Sequence, residues 1–443
     1  LNDAVKCPAL FLAAPASGQG KTTITAAIAR YHRNQGRVVR VFKTGPDYLD
    51  PQVLEQASGQ PVEQLDLWMA GKAYCQQKLF EAASVADLIL IEGAMGMFDG
   101  DPSSADLAAA FGVPIAIVMD VKGMAQTAAA VAVGLANFRD DYEVAGLIAN
   151  NCGTERHAQL IRDALPSNLQ LIATLARDEA VALPERHLGL VQPSERRAEL
   201  EQCFDNGVPW IEGSGLTQLP APVTFHDQSI AEPPTMLAGC RVGVAKDQAF
   251  SFIYDANVRL LEAMGASIHY FSPLNDSAIP DVDSLWLPGG YPELHAAALT
   301  SNLSMVEAIR DFHQQGKPIL AECGGMLYSL ETLTDLTGET YPMLAILDGH
   351  GAMRGKRGCQ GMQSAPLPEG EIRAHAHHRS RSHDTPEAIA HGRRQRHTAP
   401  GEAIYRSGGL TASYLHLFFP SNPEAIAQLL LGITHNIDSL EAI

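Results

Sequence analysis

The residues best suited to chemistry fall in a few short segments. The first is Pro15-Ala16-Ser17-Gly18-Gln19-Gly20-Lys21-Thr22-Thr23. Glycines there let backbone N–H groups turn inward around phosphate oxygens, and a helix beginning at Lys21 adds partial positive charge. Lys21 supplies a full charge for the β- and γ-phosphates, and Thr22 offers a hydroxyl to Mg2+. Ser17 to Thr23 are the expected nucleotide contacts. Pro15 stands where the strict pattern has glycine, so the loop is a variant. The bland alternative, a turn with an incidental lysine, does not account for a Lys-Thr pair set between a strand and a helix.

Two acids follow apolar runs, Asp47 after Val38–Phe42 and Glu92 after Leu88–Ile91. Mg2+ takes one or two carboxylates together with phosphate oxygens, so Thr22, Asp47 and Glu92 form the expected metal set. The competing reading is that one acid caps the next helix. Lys43 suits a phosphate or a substrate carboxylate, and equally a solvated surface. Asn150 ends the run Val144–Ala149, where its amide can read a purine edge or simply make a turn.

The second reactive segment is Lys317-Pro318-Ile319-Leu320-Ala321-Glu322-Cys323-Gly324-Gly325-Met326. An apolar strand enters a sharp turn, and the helix-like run Met326–Leu333 follows. A cysteine on such an elbow sits at a helix N-terminus, which favours thiolate. The N–H of Gly324 is then placed to stabilise an oxyanion. Leu287-Pro288-Gly289-Gly290-Tyr291-Pro292-Glu293 offers a second donor loop through Gly290. Among 16 histidines, His416 is the expected base, because a polar group inside Leu415-His416-Leu417-Phe418 would be costly without a task. The group His375, His377, His378 reads as a polar loop rather than a metal site.

The elements that must carry these residues alternate. In the first half, apolar runs at Ala9–Ala14, Val38–Phe42, Leu88–Ile91, Pro114–Met119, Val144–Ala149 and Leu169–Ala173 read as buried parallel strands. Helices lie between them, such as Thr22–Gln35 and an Ala-rich helix, read as buried, in Gly123–Phe138. The pattern breaks over 186–238, where prolines punctuate polar sequence, and this is read as the tail of a first domain (1–185) plus a linker. It resumes over 239–443 with runs at Val242–Ala245, Ser267–Phe271, Ser284–Leu287 and Pro318–Ala321. Helices are expected at Asn257–Met264 and Met305–Gln315, with Gly265 and Gly316 closing them. Gly349–Gly401 is a loop region or a set of short antiparallel strands. The fold class is α/β, with two doubly wound domains.

Composition narrows the function. Apolar residues make up 46% of 443, enough for sizeable cores. A formal net charge of −18 argues against a nucleic-acid partner. No apolar run reaches membrane-spanning length, and no basic-then-apolar leader opens the chain. Seven scattered cysteines without a CxxC pair favour a reducing, cytoplasmic setting over a disulfide framework or zinc site.

With these residues in view, the chain resembles the cobyrinate (or hydrogenobyrinate) a,c-diamide synthases of cobalamin biosynthesis over essentially its whole length. The resemblance rests on Lys43-Thr44-Gly45-Pro46-Asp47-Tyr48-Leu49-Asp50-Pro51, on Glu92-Gly93-Ala94-Met95-Gly96-Met97-Phe98-Asp99-Gly100, and on the Gly289-Gly290 and Cys323 loops. It implies a P-loop NTPase-like domain similar to dethiobiotin synthetase, followed by a flavodoxin-like class I glutamine amidotransferase domain. By that resemblance, Cys323 with His416 frees ammonia from glutamine. A corrinoid carboxylate takes the γ-phosphate of ATP, and ammonia displaces the acyl phosphate. Asn150 becomes an adenine contact, and Tyr48, Leu49 and Asp99 surround the corrinoid and the intermediate. A homodimer is implied as well. One departure stands out: Phe418 occupies the place of the acid two residues after the histidine, so a Cys–His dyad is expected, idling until the synthetase site fills. Rivals are cobyric acid synthase, an amidotransferase for another tetrapyrrole such as nickel-sirohydrochlorin, and a partitioning-type ATPase switch, in which Cys323 and His416 would have no purpose.

Overall fold

The computed structural model describes residues 3–184, 193–355 and 360–433. They divide into two compact units, Leu1–Ile230 and Ala231–Ile443.

In the first unit the strands are β1 (Ala4–Ala13), β2 (Val39–Thr44), β3 (Glu63–Leu65), β4 (Leu88–Glu92), β5 (Ile115–Asp120), β6 (Val144–Asn150), β7 (Leu171–Leu175) and β8 (Pro222–His226). Seven of them form a parallel sheet in the order β3-β2-β4-β1-β5-β6-β7, while β8 runs antiparallel along the first half of β1. Helices α1 (Lys21–Asn34), α2 (Leu49–Ser58), α3 (Lys72–Ala83), α4 (Ser104–Phe111), α5 (Gln126–Asn137), α6 (Glu155–Ala164) and α7 (Arg197–Ile211) complete the unit. Strand side chains alternate between two cores. Phe11, Ile89, Ile91 and Ile117 face one, and Leu12, Leu90, Val118 and Ile148 face the other. Burial on both sides is why these strands read as unbroken apolar runs.

The expected boundary at residues 185 and 186 lies outside the described residues. Beyond it, the segment read as tail and linker is largely integral to the first unit. Helix α7 packs on α1, where Arg30 bonds Glu201 at 2.7 Å and Asp205 at 3.2 Å and lies over the Phe204 ring. Its prolines misled because Pro209 sits in the last turn of a helix and Pro222 begins an edge strand. The Ala-rich helix α5 buries only Ala128, Ala129 and Ala132, so it lies on the surface of the unit rather than inside it.

In the second unit the elements are β9 (Arg241–Ala245), β10 (Phe250–Phe252), α8 (Asp255–Ala263), β11 (Ser267–Phe271), β12 (Ser284–Leu287), β13 (Gly289–Gly290), α9 (Ala296–Ser301), α10 (Leu303–Gln314), β14 (Ile319–Glu322) and α11 (Gly324–Ser329). They continue with β15 (Thr332–Thr334), β16 (Thr340–Pro342), β17 (His350–Met353), β18 (Gln360–Leu367), β19 (Gly370–His377), β20 (Ser380–His383), β21 (Ala390–Arg394), β22 (Pro400–Ser407), β23 (Leu410–Ser413), β24 (Leu415–Leu417) and α12 (Pro423–Leu431). The order β11-β9-β12-β14-β23 is parallel and flavodoxin-like. From β23 the sheet continues antiparallel through β22, β21, β18 and β19 to β24.

Gly265 and Gly316 take φ of +95° and +72° at their helix ends, as the spacing predicts. Two expectations fail here. The helix after Cys323 stops at Ser329, and Thr332–Thr334 is a strand. His375 and His377 lie in β19, not in a loop, and His375 is 5% exposed.

Candidate active sites

At the C-terminal end of β1 the chain turns through Gly18 (φ +77°) and Gly20 (φ +96°) into α1. Only glycine adopts these angles without strain. Gly20 is doubly required, because a Cβ there would lie 2.4 Å from Asn150 Nδ2. Asn150 Nδ2 donates to the Gln19 carbonyl at 2.9 Å, and Gln19 Oε1 accepts from the Asp120 N–H at 2.8 Å. The loop is thus tied to the ends of β5 and β6. Asn150 spends one N–H on the loop, and its Oδ1 accepts the Asn151 N–H at 3.0 Å.

Lys21 is 9% exposed, and its Nζ donates to the Met95 carbonyl at 3.0 Å. Burial lowers its proton affinity, against the pull of Glu92. Thr22 Oγ1 donates to Glu92 Oε1 at 2.7 Å, while Glu92 Oε2 is buried with no hydrogen-bond partner among the described residues. Burial pushes the Glu92 carboxyl up to about 7, although Lys43 opposes the rise. Lys43 is 3% exposed, so it is not a solvated surface residue. Asp47 Oδ1 accepts the N–H groups of Leu49 (2.9 Å) and Asp50 (3.1 Å), so from just before the cap residue Tyr48 it holds the first turn of α2. Burial, then Asp50, lifts Asp47 to about 6. Thr22, Glu92, Lys21 and Lys43 therefore gather at one sheet edge, with Asp47 at its rim. An uncompensated buried carboxylate oxygen beside a hydroxyl is a fitting place for a divalent cation. Tyr48 and Leu49 are half-buried where α2 begins, and Asp99 is exposed, its Oδ2 accepting the Gly96 N–H at 3.2 Å.

In the second unit Cys323 has φ 45° and ψ −101°, between β14 and α11. A β-branched or bulky residue would be strained there, and the angles aim the side chain out of the turn. The Cys323 N–H is held by the Ser413 carbonyl at 2.7 Å, and Sγ lies 3.9 Å from the His377 carbonyl. Cys323 and His416 are 5% and 2% exposed. Burial and the nearby Glu293 push the thiol well above its usual range, with the Gly324 N–H pulling the other way. Burial, then His375, His377 and His378, lowers His416 well below the usual imidazole range.

Glycines make the close packing possible. A Cβ on Gly289 would meet His416 Cε1 at 2.3 Å, and one on Gly324 would meet the Gly290 nitrogen at 2.9 Å. The backbone of Gly289 and Gly290 therefore runs between the imidazole and the start of α11, with both expected oxyanion donors in one place. His378 Nε2 pairs with Glu402 Oε1 at 2.9 Å. Sequence reading missed the Met95 carbonyl, the Gln19 tie and Glu322. Only Glu322 carried a signal, as an acid ending an apolar strand. Among the described residues, no group of three or more His, Cys, Asp or Glu could hold a metal, and no helix is long and apolar enough to cross a membrane.

Residues 10–191 match the family described as CobQ/CobB/MinD/ParA nucleotide binding domain. Residues 241–424 match the CobB/CobQ-like glutamine amidotransferase domain. A hydrogenobyrinate a,c-diamide synthase of Stutzerimonas stutzeri is 51% identical over 96% of this chain and 98% of its own length. Its counterpart in Pseudomonas aeruginosa is 50% identical over 96% and 98%. A cobyrinate a,c-diamide synthase of Herminiimonas arsenicoxydans is 47% identical over 94% of each chain. With two matched domains in this order and such identity from end to end, the chain belongs to the cobyrinate/hydrogenobyrinate a,c-diamide synthase family.

Proposed function

We propose that the chain forms the a and c amides of cobyrinic or hydrogenobyrinic acid, using ATP and ammonia from glutamine. The observation that carries this is identity of about half the residues, across nearly the full length, with relatives named for that product. In the second unit, Cys323 attacks the glutamine side-chain amide with His416 as its base. The N–H groups of Gly290 and Gly324 bind the oxyanion, ammonia leaves, and water releases glutamate. In the first unit, a substrate carboxylate takes the γ-phosphoryl group of ATP. Ammonia then displaces phosphate from the acyl phosphate and leaves an amide.

Ser17 to Thr23 cradle the phosphates, and Lys21 leaves the Met95 carbonyl to meet them. Thr22, Glu92 and Asp47 are the residues that would hold Mg2+, which would neutralise phosphate charge. Lys43, Tyr48, Leu49 and Asp99 face the corrinoid. Asn150 serves the adenine through its remaining Oδ1 lone pair or by releasing Gln19. The enzyme is cytoplasmic, acts as a homodimer and needs neither nucleic acid nor membrane.

The test is mass spectrometry of reactions with glutamine, Mg-ATP and either acid. Two successive losses of about one mass unit (OH replaced by NH2) are expected, and the faster acid identifies the substrate. ATP hydrolysis with no amide on either acid would sink the proposal.

A further inference from the structure

Phe418 stands where the resemblance places an acid, but another acid reaches the strand of His416. Glu322, the residue before the nucleophile, is 3% exposed. Its Oε2 accepts the backbone N–H of Leu417 at 2.5 Å, and its Oε1 accepts the indole N–H of Trp286. Trp286 and Leu417 both belong to the apolar layer that also holds Leu320, Leu415 and Phe419. From the other side, Asn257 Nδ2 donates to the Leu417 carbonyl at 2.9 Å, and its Oδ1 accepts the Phe419 N–H at 2.8 Å. The residue after the histidine is therefore held at both its N–H and its carbonyl.

We propose that Glu322 is a positioning residue of the glutaminase, fixing His416 against Cys323 through the N–H of Leu417. This rests on the glutaminase reading above. Glu322 and Cys323 are consecutive, so one peptide joins the anchor of the histidine strand to the nucleophile. A shift of either moves the other. A buried carboxyl group in an apolar layer is expensive, and burial raises Glu322, while the N–H groups of Leu417 and Trp286 favour its charged, doubly accepting form. An apolar side chain of similar volume would serve stability as well or better, but it would leave the Leu417 N–H without an acceptor. Glutamine matches the shape yet has one acceptor oxygen, so its NH2 would face one of the two N–H donors.

The test is Glu322→Gln in the full chain. Turnover of glutamine is expected to fall about 100-fold, the usual penalty for a misplaced catalytic group, while KM for glutamine stays near wild type. Ammonia-dependent amidation stays intact. Removing the Glu322 charge alone would ease ionisation of the thiol and move alkylation of Cys323 by iodoacetamide to lower pH, so the expected move to higher pH marks an imidazole that no longer assists the thiol. The other titratable groups facing Cys323 and His416, namely Glu293, Glu402, His375, His377 and His378, are unchanged in the variant. Trp286→Phe removes the Oε1 donor and leaves a smaller ring in the apolar layer. It should show a smaller loss of the same kind, and it decides the question if Glu322→Gln does not fold. Wild-type turnover and an unshifted alkylation profile in these variants would overturn the proposal. So would parallel loss of ammonia-dependent amidation, which marks a merely structural role. A wild-type protein that releases no glutamate would instead break the glutaminase reading itself.

Discussion

At the end of β1 two lysines and a carboxylate are buried together, with Lys21, Lys43 and Glu92 at 9%, 3% and 1% exposure. At the end of β14 a thiol and an imidazole are buried beside glycine backbone. The first cluster keeps charges in a low-dielectric place with one carboxylate oxygen unanswered, which suits a polyanion arriving with a cation. In the second, burial drives both reactive groups toward their neutral forms, which suits a neutral amide as substrate. The two sites thus differ in charge: the first buries ions together, while burial in the second favours the neutral thiol and the neutral imidazole.

The sharpest way to break this contrast is Cys323→Ala. Glutamine-dependent amidation should fall about 10,000-fold or more, as when other catalytic nucleophiles are removed, while ammonia-dependent amidation persists. Mass analysis with each nitrogen donor decides it. Lys21→Ala should lower amidation from either donor alike, on the order of 1,000-fold, because charge on the transferring phosphoryl group loses its nearest cation. If only one donor were affected, the assignment of tasks to the two units would be wrong.

Gly289→Ala probes the packing of the second site alone. Its Cβ would sit 2.3 Å from His416 Cε1, so glutamate release should drop roughly 10- to 100-fold by displacing the base. A stopped assay of glutamate with wild type alongside measures it.

The smallest effect concerns acid. Burial holds His375 down at about 3 in the fold, while the unfolded chain binds its proton near 6.5. The stability this group contributes is complete above about 6.5 and is lost as pH falls toward 3. Lowering the pH from 7 to 5 should cost the second unit about 2 kcal/mol through this group, and His375→Gln should remove that part of the slope. Hydrogen exchange in β18 and β19 at the two pH values checks it.

The glycine turn before α1, the acids at strand ends, the sharp turn at Cys323 and the buried His416 were legible in the sequence because each breaks a local rule. Gly18 and Gly20 interrupt a strand–helix junction, Cys323 sits on a turn of small residues, and His416 stands inside an apolar run. The parallel strands were legible because burial on both faces leaves unbroken apolar runs. Helix α7 and strand β8 were not, since prolines at their ends look the same in a linker. The histidines of β19 were not either, because alternation of buried and exposed residues is blurred where His375 points into the core.

By itself, then, the sequence determined which atoms are available for chemistry and which elements carry them, since turn geometry, helix starts and apolar periods are local properties. The tertiary structure alone decided which of those atoms meet. Lys43 came to be buried beside Glu92 because β2 and β4 are sheet neighbours. Asn150 came to hold the phosphate loop because β6 ends beside it. Glu322 reaches the peptide after His416 across 95 residues of chain. Such meetings depend on strand order and on long-range hydrogen bonds, which no local pattern encodes.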